Sequence, residues 1–231
     1  MPTFVTNPFI MTTNCFRSLA LASIATFLLI SCASAQTKAQ AVDLGLSVMW
    51  ADINIGADCD TDFGWYLAWG ETREKDHYNF DNYKYSKEGE GQSTIDIGSE
   101  ISGTLYDMAT SLWGQVWRLP TEEEMEELIE SCEWRWTEKD DVMGVSVKGP
   151  NGNSIFLPAG GQDGKESNSG VLCAYWTGSI SYGGIGRTAM SLFCYYDYED
   201  EKTTLRTFGV YKVNGLLVRP VMDKVLTVEH H

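Results

Sequence analysis

Trp117-Arg118-Leu119-Pro120-Thr121-Glu122-Glu123-Glu124 marks the start of a helix. Thr121 and Glu124 stand at the spacing of a capping box, directly after Pro120, and Glu122–Glu124 place negative charge at the positive end of the helix dipole. Met125, Leu128, Ile129 and Cys132 follow at i, i+3, i+4 and i+7, one apolar face about three turns long. Upstream, Ile101, Leu105, Met108, Ala109 and Leu112 fall at i, i+4, i+7, i+8 and i+11 and predict a first helix. Both helices sit in the middle of the chain.

Strand signals lie on either side. Leu44–Asn54 and Gly64–Gly70 read as early strands, rich in β-branched and aromatic residues. Val142–Lys148, a turn at Gly149-Pro150-Asn151-Gly152, and Asn153–Leu157 read as a hairpin. Val171–Gly178, Thr188–Tyr198, Thr203–Phe208 and Leu216–Val221 supply the later strands, and Trp134 and Trp136 alternate with Arg135 on a short one. Glu71–Ser99 is polar, rich in Tyr and Gly, and without a period, which predicts a long surface excursion. Central helices flanked by strands indicate an α+β fold.

The whole chain has 231 residues and 25.8 kDa, with 43% hydrophobic and 21% charged residues, enough to bury a core. Lys+Arg number 17 against 32 Asp+Glu, a net charge of −15. That balance argues against nucleic acid as a partner, because phosphate contacts need clustered cations, and it disfavours anionic lipid surfaces. The 8 Trp, 11 Tyr and 22 Gly fit a loop-rich, largely β domain.

Residues 1–35 read as an export signal. Leu19–Ile30 follows Arg17 as an uninterrupted run of apolar and small residues, with Met11 an alternative start, and it has the length of a signal h-region, too short for a spanning helix. Leu29-Ile30-Ser31-Cys32 has the form of a lipobox, in which Cys32 is lipidated; Ala33-Ser34-Ala35 has the A-x-A form for ordinary cleavage. Both readings stand. Residues 36–40 form a short linker, 41–223 one domain and 224–231 a tail. Arg17 is the only charge lost with the leader, and all 8 Trp remain. Cys59, Cys132, Cys173 and Cys194 then face an oxidising compartment, where four cysteines allow three pairings.

Six strings in order resemble the Fibrobacter succinogenes major paralogous domain, a family of exported proteins common in gut Bacteroidetes. They are Asp43–Ala51 (DLGLSVMWA), Tyr66–Glu71 (YLAWGE), Trp117–Glu124 (WRLPTEEE), Gly152–Ala159 (GNSIFLPA), Tyr175-Trp176 and Gly215–Val221 (GLLVRPV). The match spans roughly Ala41 to Val221. Arg118–Glu124 is also similar to the hallmark of formylglycine-generating enzymes. The resemblance implies a C-type-lectin-like fold: two helices, a small twisted, mainly antiparallel sheet, long loops, and termini brought together. Those enzymes bind copper through two cysteines a few residues apart. Here twenty residues separate Cys173 from Cys194, so the catalytic pair is not matched. Ile53 stands where many family members carry a cysteine, which removes a disulfide from that position to Cys132 and leaves open whether Cys59 replaces it.

Chemistry-bearing motifs are sparse. Asp58/Asp60/Asp62 alternate as in a calcium loop, but Gly64 comes one place late and Trp69 occupies the twelfth position, so the loop reads as a solvated acidic turn. Asp197–Glu201 reads as a hairpin tip. His77, the one His of the domain, reads as a surface residue with no partner for acid–base work. Gly183-Gly184-Ile185-Gly186 lacks the strand–turn–helix setting of a phosphate loop. No catalytic residues, metal site or cofactor are expected. Trp50, Trp113, Trp117 and Trp176 read as core.

In Thr188–Tyr198 the alternation puts Met190, Leu192, Cys194 and Tyr196 on one face and Ser191, Phe193, Tyr195 and Asp197 on the other. Tyr182, Arg187, Tyr195, Tyr198, Arg206 and Tyr211 are the candidate ligand-binding residues, since Tyr and Arg on rigid elements are typical contact residues. The functional expectation is an exported, non-catalytic recognition module of the cell envelope or exterior that binds a glycan or a protein surface. It touches the membrane only through a lipid anchor. An enzyme on the formylglycine-generating scaffold and a structural fibre component are the alternatives.

Overall fold

The computed structural model describes residues 39–164, 169–184 and 186–224. The expected leader, its Cys32, most of the linker and residues 225–231 lie outside the described residues. The domain is α+β, with two α-helices and nine strands among the described residues: β1 (Ala41–Asp43), β2 (Val48–Ala51), α1 (Met108–Trp113), α2 (Glu122–Ser131), β3 (Glu133–Lys139), β4 (Val142–Lys148), β5 (Ser154–Pro158), β6 (Leu172–Ile180), β7 (Thr188–Asp197), β8 (Lys202–Tyr211) and β9 (Val221–Asp223). The strands form three antiparallel three-stranded sheets, β1-β2-β9, β3-β4-β5 and β6-β7-β8, where one small sheet was expected. β9 pairs with β2 beside β1, so both ends of the domain meet in one sheet.

The capping box at α2 forms as the sequence predicts. Thr121 Oγ1 accepts from the Glu124 N–H (3.3 Å) and Glu124 Oε2 from the Thr121 N–H (2.9 Å). The same carboxylate takes a bidentate grip from Arg118, Nη1–Oε2 2.8 Å and Nη2–Oε1 2.6 Å. Arg118 also bonds Asp223 (Nε–Oδ1 3.1 Å), and its backbone exchanges both hydrogen bonds with Val221. The Trp117–Glu124 string therefore ties the helix start to the last strand. Glu124 and Asp223 raise the Arg118 pKa further, Glu124 having the larger influence.

The first helix is shorter than its pattern. α1 begins at Met108 because Asp107, fully buried, caps it, and Leu105 lies before the helix with 78% of its surface exposed. Asp107 Oδ1 accepts from Ala109 N (2.7 Å) and Thr110 N (3.2 Å), and Oδ2 from Gly103 N (2.7 Å) and Leu119 N (2.8 Å). The carboxylate holds the preceding loop in a turn that a continuous helix would abolish. Burial pushes its pKa up, and the four N–H donors oppose that shift.

Gly64–Gly70 is not a strand. Leu67 makes one bridge, with Leu216. The segment is pinned instead by side chains: Trp69 Nε1 donates to the Thr177 carbonyl (2.9 Å) and Trp176 Nε1 to that of Leu67 (2.7 Å). Within Leu44–Asn54 only Val48–Ala51 is strand, and Leu216–Val221 is reduced to isolated bridges before β9. β4 and β5 form the expected hairpin, with Gly149 N–H to Asn153 O at 2.9 Å closing the turn. The Trp134/Trp136 strand is longer than read, pairing with β4 over its full length.

Glu71–Ser99 carries no named strand or helix, as expected, but it is not simply surface. Tyr83, Tyr85 and Ile97 are core residues, and the two tyrosine hydroxyls donate to the carbonyls of Trp69 (2.8 Å) and Gly70 (3.1 Å). Gly70, at φ 83°, lets these rings approach: a Cβ there would stand 2.9 Å from Ile97 Cδ1.

β6 is buried along nearly its whole length and divides two cores. Leu172, Ala174 and Trp176 face one, with Leu67, Trp69, Met108 and Trp117. Cys173 and Tyr175 face the other, with Trp50, Met125, Leu128, Val145 and Leu157. Trp50, Trp117 and Trp176 are buried as expected. Trp113 is half-buried, its ring edge-on to Trp117 at 5.7 Å.

Candidate functional site

β8 is an edge strand of its sheet, and its two faces have different surroundings. Leu205 packs against the second core, and the Thr207 hydroxyl lies 3.4 Å from Glu126 Oε1 of α2. The register places Arg206 opposite Phe193, Phe208 opposite Ser191 and Thr204 opposite Tyr195 on the other face. There Phe208 is 47% and Tyr195 46% exposed. The Arg206 guanidinium lies 4.8 Å from the centroid of the Phe208 ring, which meets Phe193 edge to face at 6.0 Å. Stacked cation and rings fix one another's rotamers, so the patch presents a pre-formed surface.

Beside it runs a shallow groove of about 430 Å³ lined by Phe193, Phe208, Val210, Tyr211, Gln162 and Asn214, with Thr188 and Gly209 completing it. None of these side chains is ionisable near neutral pH. In a chain of net charge −15 this is a neutral aromatic and amide surface. Tyr211 is held by an edge contact with Phe80 at 5.7 Å.

The six candidate residues do not form one cluster. Tyr195, Arg206 and Tyr211 belong to the β7–β8 surface and are exposed. Tyr182, 88% exposed, sits in a 3-10 turn (Tyr182–Gly184) before β7. Arg187 is half-buried and donates to Gln92 Oε1 (3.2 Å). Tyr198 lies past the far end of β7, its hydroxyl donating to the Gly170 carbonyl (3.1 Å). The ten-residue strands span roughly 30 Å at about 3.4 Å per residue, so one small ligand cannot touch both ends. Phe193 and Phe208 of this surface are not among the six candidates. Their signal was parity: Phe193 alternates with Tyr195, and Phe208 with Arg206.

A second, polar concavity of about 370 Å³ lies on the outer face of the β3-β4-β5 sheet, lined among others by Asp52, Asp60, Arg135, Ser146 and Ser154. Lys139 forms an ion pair with Asp60 at its side. Asp60 of the acidic loop is therefore engaged, and Asp62 accepts from the N–H groups of Asp58 and Gly64, both at 3.1 Å, in a local turn. His77 is exposed.

The sheet brings Cys173 of β6 directly opposite Cys194 of β7, both without solvent exposure. Burial pushes the Cys173 thiol well above its ordinary pKa. Cys59 is exposed and Cys132 half-buried, and all four described cysteines are free thiols.

No family model, curated protein or solved structure matches this chain.

Proposed function

We propose that this protein is an exported, non-catalytic recognition module with a C-type-lectin-like fold, and that the β7–β8 face binds a glycan. The observation that carries the reading is the exposed Arg206–Phe208 pair, backed by the half-buried Phe193, beside a neutral groove bearing two amides, Gln162 and Asn214. Saccharides offer C–H faces that stack on aromatic rings, and hydroxyls that bond to amides and to a guanidinium fork. The fold assignment draws on the six sequence strings, the central helix pair and the meeting of β1 and β9 on β2.

The copper-enzyme alternative asks Cys173 and Cys194 to be thiolates open to a substrate. The residues do not fit that role: both are sealed inside the sheet, and burial favours the protonated form of Cys173.

The test is a glycan-array and whole-cell screen with the full chain, followed by titration of any ligand found. Phe208→Ala and Arg206→Ala are each expected to weaken binding about tenfold or more. Their melting temperatures should stay close to wild type, because both side chains are exposed. Unchanged affinity in both variants would move the site elsewhere, and a blank screen would overturn the glycan reading.

A further inference from the structure

The four cysteines of the domain allow three pairings by sequence, and the β6–β7 register selects one. Cys173 and Cys194 are Cα partners in the antiparallel ladder. The carbonyl of Ala174 and the N–H of Trp176 bond to Leu217, away from β7, whereas the Val171 carbonyl accepts from Tyr196 of β7. By alternation Cys173 and Cys194 form a hydrogen-bonded pair, for which Cα atoms stand about 5.5 Å apart, inside the usual disulfide range of about 4.4–6.8 Å. Both side chains point into the same core. Cys173 Sγ also lies 3.5 Å from the Leu157 carbonyl.

We infer that Cys173 and Cys194 become an intrachain disulfide when the chain folds in the presence of a small-molecule disulfide or a protein disulfide oxidant. One cysteine thiolate attacks the oxidant's S–S bond and releases one oxidant thiol. The second cysteine thiolate then displaces the other oxidant thiol from the mixed disulfide. One protein S–S bond forms and one oxidant S–S bond breaks. Two electrons pass to the oxidant, and its two thiols take up the two protons. The order of events follows from burial: in the finished fold neither sulfur meets solvent, and exchange proceeds through an accessible thiolate. The bond therefore forms before α2 and the β3-β4-β5 sheet close over the pair, and afterwards it is shielded from reductants. Facing side chains in a ladder usually hold their Cβ atoms about 5 Å apart, and a disulfide needs about 3.8 Å. The strands must draw slightly together, which offsets part of the gain from closing the intervening loop.

The full chain, unfolded and reduced, is refolded either with oxidised glutathione or with dithiothreitol, then alkylated and digested with trypsin. Cleavage after Lys165, Arg187 and Lys202 leaves the two cysteines on separate peptides, 166–187 and 188–202. The expected result is these two peptides joined after oxidative refolding, with two fewer alkylated cysteines per chain. The melting temperature should rise by about 5 °C relative to the reduced protein. Oxidised glutathione added to the already folded, reduced protein should join them at least about tenfold more slowly than it modifies the exposed Cys59. A link joining Cys59 or Cys132 to either Cys173 or Cys194, or full alkylation of Cys173 and Cys194 after oxidative refolding, would overturn the inference. Equal rates in the folded protein would overturn the order of events.

Discussion

Arg219→Ala is expected to destabilise the domain by about 4 kcal/mol or more, most of the margin by which a domain of this size is folded. Arg219 has no solvent exposure. Its Nε donates to Asn54 Oδ1 (2.8 Å), Nη1 to the carbonyls of Ala51 and Asp52 (both 3.1 Å), and Nη2 to that of Phe156 (2.9 Å). No carboxylate is among these partners. The planar fork instead satisfies backbone acceptors from the end of β2, the segment after it and β5. Burial lowers its pKa, yet a guanidinium remains charged. Truncation strands several buried acceptors at about 1–3 kcal/mol each and leaves a void. Arg219→Lys keeps the charge but not the fork, and it is expected to recover only a minor part of the loss. Urea unfolding followed by tryptophan fluorescence measures both; a loss under about 1 kcal/mol for the alanine variant would remove Arg219 as the organiser of this junction.

The second large effect is at Asp107. Asp107→Ala is expected to lose about 3 kcal/mol, because four backbone N–H groups lose their acceptor and at least two of them lie in the buried interior. The sharper comparison is Asp107→Asn. Each carboxylate oxygen serves two donors, so an amide must turn its NH2 toward one pair of N–H groups. The asparagine variant should therefore be nearly as unstable as the alanine one, whereas at an ordinary exposed N-cap asparagine substitutes well. The urea midpoints of the two variants decide it: full rescue by Asn would mean that one of the two oxygens contributes nothing.

What could be read along the chain was what neighbouring residues decide among themselves. The Thr121/Glu124 cap, the apolar face of α2 and the β4–β5 hairpin each depend on a few adjacent positions, and each is present; in β7 the alternation shows as burial only from Leu192 to Tyr195, because Ala189 and Ser191 on the other face are buried too. The first helix shows where that logic stops. The Ile101–Leu112 periodicity extends through Leu105, but Asp107 is recruited by Leu119, twelve residues ahead, and the helix begins after it. Glu71–Ser99 has no period because its buried tyrosines answer to the Trp69 and Gly70 carbonyls, not to a helix or a strand.

The candidate site divides the same way. Exposed Tyr195 followed from strand parity, and exposed Arg206 and Tyr211 from residue type. Their separation from Tyr182, Arg187 and Tyr198, and the entry of Phe193 and Phe208, followed from hairpin length and from which face of β8 packs toward α2. The sequence by itself determined the α+β class, the acidic charge that disfavours nucleic acid, and the local caps and turns, since these rest on composition and on spacings of a few residues. The tertiary structure alone decided that Cys173 meets Cys194, that Arg219 meets Asn54, and that one face of an edge strand stays open. Those outcomes depend on register and packing between segments far apart in the chain, where no local pattern fixes the partner.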